Sequence, residues 1–278
     1  MRGRDDIRWS LAGAQPKIAL YRDDQGRWGL PLDSTPTTHI LKPAATGSGH
    51  DLNEFVTMRA AQHLGLDVAE HAILLTDRGD HVFVGRRYDR VMINGRLSRL
   101  HQEDFAQALS VDPAAKYQAD GGPGVSDFAR LLATMPPQAQ DDARFGLFEA
   151  LIFTVAAVNT DAHAKNYSII HFGRQMRLAP LYDLGSNVLY DGPSTVVSAV
   201  SLGGERAMDR IGSSHLMKVA KILRVDADRA ASSIERIRSG VAEAFLSARD
   251  ETDTDAAGHA YLARLTDAIA TRSRARGW

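Results

Sequence analysis

Apolar positions along the chain fall into two rhythms, one for each half. From Ile18 to Gly85 short β-branched and apolar runs are punctuated by turn residues, which predicts strands. Ile18–Tyr21 and Trp28–Leu30 flank the turn sequence Arg22–Arg27. Thr37–Lys42 is closed by Pro43, and Ala72–Thr76 and His81–Gly85 flank Asp77-Arg-Gly-Asp80. That Arg-Gly-Asp is read as hairpin turn chemistry, not as an adhesion motif. One helix interrupts the strands: it opens at Asp51-Leu-Asn-Glu54, lines up Phe55, Met58, Ala61 and Leu64 on one face, and stops at Gly65.

Beyond Arg86 the period becomes helical. Phe145–Val158 is apolar at nearly every position. That is short of the roughly 20 apolar residues a bilayer span needs, and a helix apolar all round belongs inside a large core. Val196–Leu202 pairs as a strand or packs as a short buried segment. Amphipathic helices follow through Leu216, Val219 and Leu223, then Ile234, Ile237, Val241 and Phe245, then Leu262, Leu265 and Ile269; Glu251–Ala256 connects the last two. They are expected to close the helical part.

Polar chemistry gathers where the buried helix ends, in Asn159-Thr-Asp-Ala-His-Ala-Lys-Asn166, with Asp183 further on. An aspartate and an asparagine spaced D-x-x-x-x-N match the catalytic loop of protein kinases, where they serve as proton acceptor and magnesium ligand and a later aspartate also holds metal. The pattern alone is weak, and Asn159–Asp161 reads equally well as a helix end followed by a turn. Other parts fall into order around it. Small residues at Ala12–Ala14 lead to Lys17 at the mouth of a strand, a setting that suits close backbone approach to phosphate or simply a turn. It is neither G-x-G-x-x-G nor a Walker A sequence. Lys42 ends a strand as an edge charge or as a phosphate-binding lysine. Glu54 complements its helix dipole or steadies Lys42. Arg86–Arg90 reads as a hinge.

Composition narrows the possibilities. The 278 residues are 44% hydrophobic with net charge −1, enough for one large domain or two lobes and unlike a chain built for nucleic-acid phosphate. There is no cysteine, so no disulfide or thiolate metal site, which fits a cytoplasmic protein. The start shows no apolar signal segment. His39, His63, His71, His81 and His101 are scattered without H-x-x-x-H or H-E-x-x-H spacing, so the metal expected is magnesium on oxygen ligands, with no structural zinc.

Taken together, the segments Ser10–Lys17, Thr38–Pro43, Asn53–Phe55, Arg87–Arg90, Leu100–Phe105, Lys116-Tyr117 with Asp120–Gly124, Asn159–Asn166 and Ala179–Asp183 resemble the HipA family of bacterial serine/threonine kinases, toxins of toxin–antitoxin systems. The resemblance implies a two-lobed, kinase-like α+β fold: an N-lobe over 1–89 and a helical C-lobe over 90–278. It implies Asp161 as catalytic base and Asn166 and Asp183 as magnesium ligands. Lys42 would hold the ATP phosphates, and Ala12, Gly13, Ala14, Gln15 and Lys17 the phosphate loop. Arg86, Arg87 and Tyr88 would form the hinge to adenine, Gln102 and Tyr182 would contact the nucleoside, and His163 and Lys165 would sit near the transferred phosphate. Ser10 stands where members autophosphorylate, an off-switch through added charge beside the loop. Two residues depart from the family pattern: Pro16, where glutamate is common, removes one N–H, and Arg86 stands where an acidic residue is common. The phosphate loop begins almost at Met1, as in short, HipT-like forms whose N-terminal subdomain is a separate small protein, or equally as in a truncated gene.

By that resemblance the substrate is an aminoacyl-tRNA synthetase such as glutamate–tRNA ligase, whose phosphorylation stops translation, and the partner is a helix-turn-helix antitoxin, with DNA reached only through it. Two rivals stay open: a weakly catalytic co-repressor scaffold, and a small-molecule kinase. The basic end, Arg272–Trp278, is read as solvated.

Overall fold

In the computed structural model the residues described are 16–31, 35–43, 49–76, 79–190 and 196–277; Ser10, Ala12, Gly13, Ala14 and Gln15 lie outside them. The first half is a five-stranded antiparallel sheet with one helix. Its strands are β1 (Ile18–Arg22), β2 (Trp28–Gly29), β3 (His39–Pro43), β4 (His71–Leu75) and β5 (His81–Arg86), in the order β2-β1-β3-β5-β4. Asp23 builds the first turn by accepting hydrogen bonds from the backbone of Gln25 and Arg27. β3 therefore lies in the middle of the sheet, and its register sets Lys42 opposite Phe83, with the ammonium 5.5 Å from that ring.

Helix α1 (His50–His63) carries more than the single apolar face read from the sequence: Asp51 through Met58 are all buried. It is covered by the sheet on one side and by the last helices of the chain on the other. The expected stop at Gly65 is present, with φ of 78°, and the backbone N–H of Leu66 bonds to Ala61 O at 3.1 Å, the signature of a glycine-terminated helix. Gly49 at the opposite end also has positive φ, and a Cβ there would stand 2.8 Å from the Tyr261 ring. Only glycine allows that approach.

The second half begins with a hairpin, β6 (Arg90–Ile93) and β7 (Arg96–Arg99), which the sequence reading passed over. Its turn residues Asn94 and Gly95 both have positive φ, as an Asn-Gly hairpin turn requires. β8 (His101–Asp104) follows, then the short α2 (Phe105–Ala108), α3 (Val125–Leu132) and α4 (Pro137–Ala156). The buried helix thus starts eight residues before Phe145, with Pro137 in its first turn, where a missing N–H costs nothing. β9 (Ser168–Phe172) and β10 (Gln175–Leu178) complete a sheet of order β10-β9-β8. Val197–Leu202 resolves as a strand, β11, paired with β12 (Glu205–Ala207).

Helices α5 (Ser213–Leu223), α6 (Ala227–Asp250) and α7 (Ala256–Ala275) end the chain. Their apolar stripes (Leu216 and Val219, Ile237 and Phe245, Leu262 and Leu265) are fully buried. They do more than close the helical part: α6 lies against α1 as well as α4 and α5, and α7 packs on α6 and α1.

Candidate functional site

The Asp161–Asn166 loop is delivered by the end of a regular element. α4 stops in a six-residue hydrogen-bonded loop: Asn159 N–H reaches Thr154 O at 2.9 Å and Val158 N–H reaches Val155 O at 3.4 Å. The position this motif usually gives to glycine is held by Val158, at φ of 59° and fully buried. A β-branched residue there is strained by about 1–3 kcal/mol, and only a surrounding core over-determines it. The strain turns the chain sharply, so that Asn159 caps the next turn by accepting the Asp161 N–H at 3.1 Å. Asp161 then projects outward, its side chain 59% exposed. A one-turn 3₁₀ helix, Ala164–Asn166, follows. Asn166 is buried, and its Oδ1 accepts the His163 N–H at 3.3 Å.

Asp183 arrives by a different route. The residues before it are tied to the loop after α1: Ala69 N–H to Leu181 O at 2.9 Å, and Leu181 N–H to Asp67 O at 2.8 Å. Asp183 itself has φ of 56°, a second non-glycine in the left-handed region. Its carboxylate meets Lys42 Nζ at 2.5 Å, while the same ammonium donates to Glu54 Oε1 at 2.7 Å. One lysine from the first half therefore links its own helix α1 to the aspartate of the second half.

The electrostatics follow from burial. Desolvation pushes the Glu54 carboxyl up to about 7 despite the Lys42 ammonium. Burial disfavours the Lys42 ammonium, yet Glu54 and Asp183 outweigh it and hold its pKa above the ordinary lysine value. For Asp183 burial is likewise opposed, here by Lys42, and the net effect keeps the carboxyl below its usual range. Lys17 shares this field: burial, then the Lys42 charge, lowers it. His163 is buried beside Asp161, 3.6 Å away, and desolvation outweighs the Asp161 charge and holds its pKa below the ordinary histidine value.

Around a neighbouring wall stand the other expected residues. Tyr88 O–H donates to Gln102 Oε1 at 2.5 Å, and its ring lies 5.5 Å from that of Tyr182. The Tyr182 hydroxyl bonds Ser168 Oγ at 2.6 Å and Lys165 O at 2.9 Å. Lys165 Nζ lies 3.8 Å from Asp104. In the hinge, Arg86 N–H is used by Glu70 O and Arg87 N–H by Thr38 O, both at 2.8 Å. The Arg87 guanidinium grips Asp89 through two nitrogens.

Three residues here carried no role in the sequence reading. Tyr117 donates its hydroxyl proton to Asp161 Oδ1 and sets its ring edge-on to His163. Asn53 clamps the backbone of Ser186, donating to its O and accepting from its N–H, both at 2.7 Å. Asn187 accepts the Thr160 N–H at 3.3 Å, and its own N–H bonds Val158 O at 2.9 Å, bracing the Asp161 loop against the segment after Asp183. Tyr117 and Asn53 fell inside the segments that carried the resemblance, but their bonds span 44 and 133 residues and leave no periodic trace.

This geometry defines a class: a two-lobed α+β fold of the protein-kinase type, with the lysine–glutamate–aspartate set near the D-x-x-x-x-N loop, whose His163 interacts electrostatically with Asp183. The chain belongs to the HipA-like C-terminal domain family, whose model matches residues 9–245. Over 274 residues it is 35% identical to the Sinorhizobium fredii protein "Putative kinase Y4mE", covering 98% of this chain and 64% of that one. The serine/threonine-protein kinase toxin HipA of Shewanella oneidensis is 34% identical over 201 residues, 66% of this chain and 44% of that protein. This chain thus spans less than two thirds of these relatives. Among solved structures, the S. oneidensis HipA–HipB–operator DNA complex matches with a TM-score of 0.82 at 25% identity, covering 96% of this chain and 64% of the other. The Helicobacter pylori kinase CtkA shares the fold, with a TM-score of 0.55 at 13% identity.

Proposed function

We propose that the protein is an ATP- and magnesium-dependent serine/threonine protein kinase and the toxin of a toxin–antitoxin pair. The observation that carries the reading is the bridge from Lys42 to both Glu54 and Asp183, with His163 of the Asp161–Asn166 loop in the field of Asp183. The donors offered to a metal are the ionised Asp183 carboxylate and the Asn166 amide oxygen, hard oxygen ligands that fit magnesium. An ion held by these two residues would supply charge neutralisation for the phosphates of the nucleotide.

The chain's own residues do the rest. Lys42, kept charged, is fixed by Glu54 to meet the α- and β-phosphates, with Lys17 and Ala12–Gln15 as the phosphate loop. Gln102 and Tyr182 line the nucleoside side. Because the Arg86 and Arg87 N–H groups are committed within the sheet region, the hinge contact to adenine falls to Tyr88 or to hinge carbonyls. Asp161 accepts the proton of the attacking hydroxyl, with Tyr117 fixing one carboxylate oxygen and leaving the other for that proton. His163, together with Lys165, flanks the path of the transferred phosphate. Catalysis of this kind rests on positioning and charge.

The finer reading follows family membership. The substrate is an aminoacyl-tRNA synthetase, glutamate–tRNA ligase or a relative, inhibited to stop translation in the cytoplasm. A helix-turn-helix antitoxin, the counterpart of HipB in the S. oneidensis complex, binds the toxin and brings it to DNA. Autophosphorylation at Ser10 switches the kinase off. Among the described residues no helix is long and apolar enough to cross a membrane.

The test is phosphate transfer from labelled ATP to lysate proteins and to Ser10, by the wild type and by Asp161→Asn. We expect labelled protein only with the wild type and a loss of at least about a hundredfold in the variant. A phosphorylated metabolite without phosphoprotein would favour a small-molecule kinase. ATP bound but no transfer, even with the antitoxin supplied, would favour a co-repressor scaffold.

A further inference from the structure

Strands β8 and β9 have two faces. Gln102, Asp104 and Ser168 point to the nucleotide side, where they meet Tyr88, Lys165 and Tyr182. The residues that alternate with them, His101, Glu103 and His171, stand together on the other face. The register makes this inevitable: His101 lies directly opposite His171, and Glu103 is two residues along the same strand. Their ligand atoms all fall within 4.8 Å of one another, the only such His/Asp/Glu cluster among the described residues.

The geometry points to a binding site for a borderline divalent transition metal of the zinc type, held by His101, Glu103 and His171 on the face of β8 and β9 opposite Gln102 and Ser168. Three details support it. First, the spacing fits. Ligands at about 2.1 Å around a tetrahedral zinc stand about 3.4 Å apart. Glu103 Oε2 is 3.2 Å from His171 Nε2 and 3.8 Å from His101 Nε2, so shifts of tenths of an ångström close the set. Second, His171 Nε2 is shielded from solvent and makes no hydrogen bond, although a carboxylate stands beside it. A ring nitrogen held dry without a hydrogen bond is costly in a protein and natural in a metal ligand. Third, His101 is 68% exposed, which leaves an entry path and a position for water as fourth ligand. Two imidazoles and one carboxylate select this class of ion over magnesium, which prefers an all-oxygen octahedron.

Such an ion would cross-link β8 to β9 directly behind the wall that carries Gln102 and Ser168. It would stiffen that wall without touching the cleft. The site is invisible to local spacing because 70 residues separate the two histidines.

The experiment is titration of the full-length protein with cobalt(II) and zinc(II) in excess magnesium, read by cobalt visible absorption and by competition with a chromophoric chelator. We expect one equivalent bound with the intense absorption of a four- or five-coordinate, nitrogen-ligated ion. His101→Ala and Glu103→Gln at exposed positions, and His171→Ala, should each weaken binding by about tenfold or more. Asp183→Asn should leave it unchanged. Absence of binding, affinity indifferent to His101→Ala and Glu103→Gln, or equal loss in Asp183→Asn would overturn the assignment. Circular dichroism confirms that each variant is folded.

Discussion

Glu54 is the residue whose chemistry most constrains the others. Its carboxyl titrates near 7 because burial outweighs the adjacent ammonium. With the folded-state value above the ordinary 4.5, its protonation contributes stability that is complete below about 4.5 and lost as pH rises through about 7. The Lys42–Glu54 ion pair becomes fully charged over that same window. Asp183, with its pKa held down, behaves oppositely: its contribution is present above the ordinary aspartate value and lost as pH falls. We therefore expect kcat/KM for ATP, which reports the free enzyme, to rise with pH through about 7. Glu54→Gln should lower its plateau and abolish that limb, as pH–rate profiles of the two proteins would show. At this scale the sequence was informative about identity but not about state. Lys42, Glu54, Asp161, Asn166 and Asp183 were all named from order and spacing, whereas the strain at Val158 and Asp183 and the Tyr117 bond to Asp161 depend on φ angles and long-range approach.

Among elements, α1 has the heaviest duties. It presents Glu54 to Lys42, and one residue earlier Asn53 holds Ser186 by two backbone bonds and reaches the Tyr261 hydroxyl at 3.1 Å. Removing the Asn53 amide would strand a buried N–H and a buried C=O, each costing about 1–3 kcal/mol. Asn53→Ala should thus destabilise the protein by about 2–4 kcal/mol in denaturant titration. It should also weaken nucleotide binding, because the chain after Asp183 loses its anchor. Most elements were legible from periodicity: α1, β1 to β5 and the apolar stripes of α5 to α7 lie within a few residues of expectation. The hairpin β6–β7 was missed despite its Asn-Gly turn. Strands β8 to β10 escaped for a physical reason: β8 is His-Gln-Glu-Asp, with no apolar position to alternate, and its partner β9 lies beyond α4 in the chain, so the sheet exists only through long-range pairing.

Across the whole molecule, α6 makes the two halves one cooperative body. It packs on α1, α4 and α5. Arg236 donates both to Leu64 O at the end of α1 and to Glu149 of α4, and Ser233 bonds the same carboxylate at 2.8 Å. Glu149 is buried but Arg236 is 43% exposed, so solvent screening reduces what the pair contributes. Arg236→Ala should cost about 2 kcal/mol and lower Tm by several degrees. Calorimetry should still show one transition, since both halves share the helix; two transitions would show that they fold independently. The sequence by itself determined the α+β class, the buried helix that carries the Asp161 loop, and the residue types of the cleft, because these are written in local periodicity and in short motifs. Only the tertiary structure decided that Lys42 bridges Glu54 and Asp183, that Asn53 and Tyr117 hold the loops, and that His101, Glu103 and His171 share one face. Those contacts join residues tens to more than a hundred positions apart, and nothing in local spacing encodes a distance that only strand register and helix packing create.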